Sequence, residues 1–280
     1  MALINEHPGF AAWRQQWTDR PRRWWRVLLV FVAFGGGLVA VFLPASLWVL
    51  PWLKSSFPDA SPHFKEIVRT LMVGLGFAVA LLAFLGAKHR LHGPSPSVIA
   101  ARPRDFRIPD AVVSGLLWLA LFLVSNLALY GPDEMLQRLG TYTVPQWLLL
   151  GLAMLVCIGI QATTEELVFR GYLLPLLASS MSVLAAALIS MLVFTVGHPG
   201  SGVAGTLAVA LFAAMATFAV VRTGSVACSA GAHVTNNFAM FLLFPEATND
   251  MNTFADLGAL AVAALVWLGW VAYTARRGRD

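Results

Sequence analysis

The sequence predicts an all-α, polytopic membrane protein with about eight transmembrane helices and its chemistry in the C-terminal half. Three observations carry that expectation. Of 280 residues, 58% are hydrophobic and only 12% are charged, whereas about one quarter of a soluble domain is charged. The mean hydropathy is +0.72. The apolar residues are gathered into long, nearly charge-free runs, each able to cross a bilayer at ~20 residues per span. Eight such spans take up about 160 residues, which leaves short loops and excludes a second soluble domain.

The elements follow in order. Residues 1–23 are polar, with Phe10, Trp13 and Trp17 at helical spacing among Arg14, Arg20, Arg22 and Arg23. That is the pattern of an amphipathic tail lying on the membrane surface. The apolar run behind it is too long for the core of a signal peptide, so no cleaved leader is expected. Spans at 24–50, 66–87 and 111–130 make up an N-terminal helical region, 24–145. Gly35, Gly36 and Gly37 in the first of these permit a bend or a close helix contact. The fourth span, 146–177, is too long for one straight crossing and contains charged residues. Spans at 181–198, 203–221 and 225–244 follow, and residues 146–245 form the expected catalytic core. Ser225, Ala227, Cys228, Ser229 and Gly231 again favour close packing. Residues 246–280 hold a last span, 255–275, and a basic tail. Trp147, Trp267 and Trp270 sit at span ends, where tryptophan anchors a helix in the interface.

The net charge of +5 reflects topology rather than nucleic acid. Arg14, Arg20, Arg22, Arg23 and Arg26 flank the first span. Lys88, Arg90, Arg102, Arg104 and Arg107 fill the loop between the second and third, Arg222 follows the sixth, and Arg276, Arg277 and Arg279 close the chain. The alternate loops hold only Lys54, Lys65, Arg69 and Arg138, with an acidic stretch from Glu246 to Asp256. Positive residues favour the cytoplasmic side, so both termini of this cell-membrane protein are expected there. The two cysteines, Cys157 and Cys228, lie inside apolar runs without a C-x-x-C pair, which suits small buried hydrophobes and neither a disulfide scaffold nor a zinc ribbon.

The polar residues inside the spans point to chemistry. Of fourteen carboxylate residues, only Glu165 and Glu166 fall well inside a span; of six histidines, only His198 and His233 do. A carboxylate at bilayer depth costs about 3 kcal/mol, so such groups mark functional sites by default. Adjacent helical residues point about 100° apart, so Glu165 and Glu166 cannot both face one small target. Glu166 and Arg170 are i,i+4 and can pair, which leaves Glu165 to act elsewhere. Phe194 and His198 share a face in the same way, an aromatic wall beside an imidazole. His233 and Asn237 share another, and Asn236 points away from it.

Depth permits these groups to meet. With a turn near Ser179, Glu165 lies roughly 21 Å before it and His198 roughly 28 Å after it. His233, roughly 13 Å beyond a turn near Gly224, fits less closely and needs a kink or an offset helix. A carboxylate, two imidazoles and an amide suit hydrolysis. The carboxylate takes a proton from water, and histidine and asparagine donate hydrogen bonds to the oxyanion formed when water attacks an amide carbonyl. Glu165, His198 and His233 equally form a donor set that zinc accepts, although H-E-x-x-H is absent. A proton-relay transporter is a further reading of intramembrane carboxylate and histidine.

The pattern Glu165-Glu166-x-x-x-Arg170-Gly171, then Phe194-x-x-x-His198, then His233-x-x-x-Asn237, on successive apolar segments, resembles the CPBP family. That family, the CAAX proteases and bacteriocin-processing enzymes also called Abi, includes the type II CAAX prenyl endopeptidases. The resemblance spans about residues 146–245. It implies an intramembrane endopeptidase acting on a membrane-associated peptide or protein, lipidated ones included, with membrane lipids as its surroundings. Under it Glu165 activates water, His198 orients or binds that water, and His233 and Asn237 form the oxyanion site. Glu166 and Arg170 support them. Relatives with immunity roles offer the contrasting expectation, a non-catalytic partner-binding protein of the same fold.

Overall fold

The computed structural model describes residues 6–18, 24–94, 96–102, 105–198, 202–243 and 254–277. Arg20, Arg22, Arg23, Arg104, Arg279 and residues 246–253 of the acidic stretch lie outside these, as do the side chains of Asp256, Arg276 and Arg277. The described residues are helical apart from turns, loops and one isolated bridge between Ala100 and Ser225. Six helical runs among them are long and apolar enough to cross a membrane: Trp24–Ser56, Pro62–His92, Ile108–Tyr130, Val144–Ala178, Gly202–Thr223 and Leu257–Ala275. The chain is therefore an all-α, multi-pass membrane protein.

The expected fifth and seventh spans form as helices that, among the described residues, are shorter than that. α9 (Val183–Val196) has 14 residues and α11 (Ala227–Leu243) has 17, about 21 and 25 Å against a hydrocarbon core of ~30 Å. α9 ends in a tighter turn, with the His198 amide donating to Thr195 O, and Pro199 follows in the sequence. The residue before a proline avoids the helical region.

The chain divides into two compact units. One comprises Pro21–Ser95 and Leu139–Thr164. Its elements are α2 (Trp24–Pro44), a π-helical stretch at Ala45–Val49, α3 (Leu50–Ser56), α4 (Pro62–His92) and most of α7 (Val144–Glu166). Glycine sets its spacing. A Cβ on Gly37 would lie 2.6 Å from Ala80 Cα, and one on Gly74 would lie 2.5 Å from Cys157 Sγ. Close approach is thus confined to Gly37 of the predicted trio; Gly35 and Gly36 face open space. His63 bonds the Gln146 carbonyl at 2.8 Å, and Lys88 donates to the carbonyls of Gly93 and Pro94.

The other unit comprises Met1–Arg20, Pro96–Arg138 and Glu165–Asp280. It contains α1 (Pro8–Thr18), α5 (Ile108–Tyr130), α6 (Asp133–Leu139, to its penultimate residue), a π-helical turn at Leu167–Leu173, α8 (Leu174–Ala178), α9, α10 (Gly202–Thr223), α11 and α12 (Phe254–Arg277). α5 and α11 run parallel, since their contacts climb both helices together: Gly115 with Gly231, Trp118 with Asn236, Phe122 with Ala239. Gly231 lies against the Ala111 carbonyl so closely that a Cβ there would overlap it.

Two expectations about tryptophan are corrected here. The aromatic face of α1 does not lie in the membrane surface: Phe10, Trp13 and Trp17 are 0%, 0% and 2% exposed. Trp17 packs edge-on to Tyr172, and Trp13 gives its indole N–H to Ser97 O at 2.8 Å. A protein groove covers these rings, and for Trp13 it also supplies the acceptor. Trp267 is no interface anchor either. It is fully buried and donates to Ser114 Oγ (3.0 Å), which donates to the Cys228 carbonyl (2.7 Å).

Candidate active site

The site is built where α7 ends. Glu165 and Glu166 are its last two residues, and at Leu167 the chain widens into a π-helical turn that lasts to Leu173. Such turns are rare and concentrate at functional sites. Residues 167–173 are buried throughout, and the Phe169 carbonyl accepts from Ser190 Oγ of α9 at 3.0 Å. Gly171, the last residue of the first motif, sits beneath the Val98 carbonyl, where any Cβ would collide with it. Residues 98–100 are held in turn by Val226 N–H, which donates to Ile99 O at 3.0 Å.

Glu166 pairs with Arg170 as their spacing requires: Arg170 Nη1 donates to Glu166 Oε1 at 3.0 Å, and both side chains are shut off from solvent. The same oxygen also accepts from His233 Nδ1 at 2.9 Å. Glu165 reaches the other edge of that imidazole, with Oε2 3.5 Å from His233 Nε2. The two neighbouring glutamates therefore share no target atom but share a residue, one on each ring nitrogen. His198 arrives from the end of α9, its Nε2 3.6 Å from the same Glu165 Oε2. Its Nδ1 bonds the Phe194 carbonyl at 2.8 Å.

Each imidazole is thus oriented through Nδ1. A carbonyl and a carboxylate only accept hydrogen bonds, so both Nδ1 atoms carry hydrogen, and both Nε2 atoms are turned to Glu165. The second nitrogen's partner fixes a histidine's tautomer in this way. The two histidines differ in access: the His198 side chain is 35% exposed and that of His233 4%.

Aromatic rings wall the site. Phe194 lies against His198, ring centroids 4.3 Å apart, and against the Arg170 guanidinium at 4.1 Å, a cation–π contact. Phe169 meets Phe194 edge-on at 5.2 Å. Phe212 stands 4.9 Å from His233. Sequence reasoning missed Phe212, because it is one more apolar residue in an apolar helix. Asn237 lies one turn beyond His233, half-buried, its Oδ1 accepting from Asn236 Nδ2 at 3.1 Å. Asn236 turns to α5, its Oδ1 accepting from Trp118 Nε1 at 3.1 Å.

Glu165, His198 and His233 are donor types that suit zinc. Among the described residues, however, no group of three His, Cys, Asp or Glu side chains is arranged to hold a metal ion. The geometry fits such an ion in donor chemistry and not in closure.

Comparison with known proteins bears on this same region. No curated protein and no solved structure matches the chain. Residues 144–239, from the start of α7 into α11, match the family model described as type II CAAX prenyl endopeptidase Rce1-like. That segment, which is similar to the type II CAAX prenyl endopeptidases, holds both glutamates and both histidines.

Proposed function

We propose that the protein hydrolyses a peptide bond in a membrane-associated peptide or protein, with Glu165 as general base and His233 and Asn237 as oxyanion donors. One observation carries the reading: His198 Nε2 and His233 Nε2 both face Glu165 Oε2, and both Nδ1 atoms are already engaged. Separations of 3.5 and 3.6 Å are too long for direct hydrogen bonds and suit groups that act together on a water molecule as co-substrate.

Glu165 accepts a proton from that water, whose oxygen adds to the scissile carbonyl carbon. The carbonyl oxygen takes the electron pair and becomes an oxyanion. Asn237 donates to it from Nδ2. His233 donates from Nε2 when it holds a second proton, and the Glu166 carboxylate at Nδ1 stabilises that imidazolium, as the buried acid does in a Ser-His-Asp triad. Glu165 then returns its proton to the amide nitrogen as the C–N bond breaks. Arg170 holds Glu166 in place, while Phe194 holds the guanidinium and the His198 ring.

The test is cleavage of fluorogenic lipidated peptides by detergent-purified wild type and Glu165→Ala, each with and without a zinc chelator. Cleavage by wild type alone supports the reading, and the chelator arm reports whether a metal takes part. Equal cleavage by both proteins rejects Glu165 as the base. Cleavage by neither favours the partner-binding reading of the same fold.

A further inference from the structure

We infer that Trp118 and Asn236 are positioning residues that fix which end of the Asn237 carboxamide is offered to the reaction, an inference that rests on Asn237 being the oxyanion donor. A carboxamide has an accepting oxygen and a donating nitrogen of nearly the same size, and only the nitrogen can stabilise an oxyanion. Nothing in Asn237 itself selects the end. Its neighbours do.

Trp118 supplies a donor that cannot be reversed. An indole N–H donates and never accepts. Trp118 Nε1 lies 3.1 Å from Asn236 Oδ1, so the oxygen of Asn236 faces α5 and its nitrogen faces the other way. That nitrogen lies 3.1 Å from Asn237 Oδ1, and a donor there requires an acceptor opposite. Asn237 therefore commits its oxygen to Asn236 and turns its NH2 outward. The reverse orientation would set two N–H groups against each other.

The origin of this polarity is firmly held. Trp118 is 1% exposed and packs edge-on to Phe212 (6.0 Å) and to Trp267 (6.2 Å). Trp267 is itself pinned through Ser114 to the Cys228 carbonyl at the start of α11. Phe212 is also the ring against His233, so one aromatic side chain contacts both the start of the relay and the second oxyanion donor. The close approach of Gly231 to Ala111 sets the register that brings Trp118 level with Asn236. α11 thus presents His233 and Asn237 on one face, and α5 orients the second of them from behind.

The discriminating variant is Asn236→Asp, which keeps the acceptor for Trp118 and the shape of the side chain but cannot donate to Asn237. Trp118→Phe is its partner, removing the N–H and keeping a ring. In full-length protein, on a peptide that wild type cleaves, each should lower kcat about tenfold with KM held within about twofold, short of the 10²–10³-fold loss expected for Asn237→Ala. A purely structural role predicts lowered stability at full kcat, so an Asn236→Asp protein with the wild-type kcat overturns the inference. A second readout needs no catalysis. The Trp118 indole 15N–1H resonance, identified by its absence in Trp118→Phe, should move upfield in Asn236→Ala, and an unmoved signal also overturns the relay. If wild type cleaves nothing, the hydrolytic reading falls, and the indole signal alone decides whether the relay stands.

Discussion

The two compact units bury polar groups in different ways. In the unit of Pro21–Ser95 and Leu139–Thr164, His63, Lys88 and Thr164 each give a polar atom to a backbone carbonyl, at a helix end or one turn back along their own helix. In the unit that begins again at Glu165, buried ionisable side chains face one another: Glu165, Glu166, Arg170 and His233 form one connected group. The boundary falls inside α7, between Thr164 and Glu165. A buried polar residue that returns its hydrogen bond to the backbone supports a helix; buried ions that depend on one another are costly to keep and are the default candidates for a functional site.

The strongest way to break this comparison is to change one residue on each side of that boundary. Glu165→Gln should lower peptide cleavage by about 10²–10⁴-fold, the contribution of a positioned general base, with the thermal midpoint in detergent little changed. Thr164→Val removes a hydroxyl that bonds Ile160 O of its own helix and should leave the cleavage rate intact. Equal losses in the two variants would mean that the boundary separates nothing chemical.

Next in size is the ion group. Arg170→Met leaves Glu166 charged in a buried place, and breaking a buried pair from one side costs about 3–5 kcal/mol, readable as a lower unfolding midpoint. Adding Glu166→Leu should recover much of that stability but not activity, because His233 Nδ1 then loses its acceptor. Recovery of both would reduce Glu166 to a structural ion.

Glycine sharpens the comparison by showing that backbone contact, unlike charge, is used in both units. Gly231→Ala places a methyl group against the Ala111 carbonyl and should cost about 1–3 kcal/mol through forced separation of α5 and α11. Gly35→Ala enters open space in α2 and should stabilise that helix by up to ~1 kcal/mol. Chemical denaturation in mixed micelles checks the pair.

The smallest expected effect lies on α1. Arg14 Nη2 is 2.9 Å from Glu6 Oε1 on the surface, and Arg14→Gln should cost about 0.2–1 kcal/mol, a difference that vanishes in ~1 M salt.

Periodicity within a helix was legible from the sequence alone, because 3.6 residues per turn is a local property. It yielded the Glu166–Arg170 pair and the Phe194–His198 wall, each between residues four apart. It also turned Asn236 away from the His233 face. What it lacked was any relation between helices. That His233 would lie between two glutamates, one on each ring nitrogen, depends on where α11 sits against Glu165 and Glu166, which close approaches such as Gly231 on Ala111 help to set from α5. The burial of Phe10, Trp13, Trp17 and Trp267 depends likewise on grooves made by distant segments. An indole looks the same in a sequence whether it ends in lipid headgroups or on a backbone carbonyl, and only the packed chain decides which acceptor it finds.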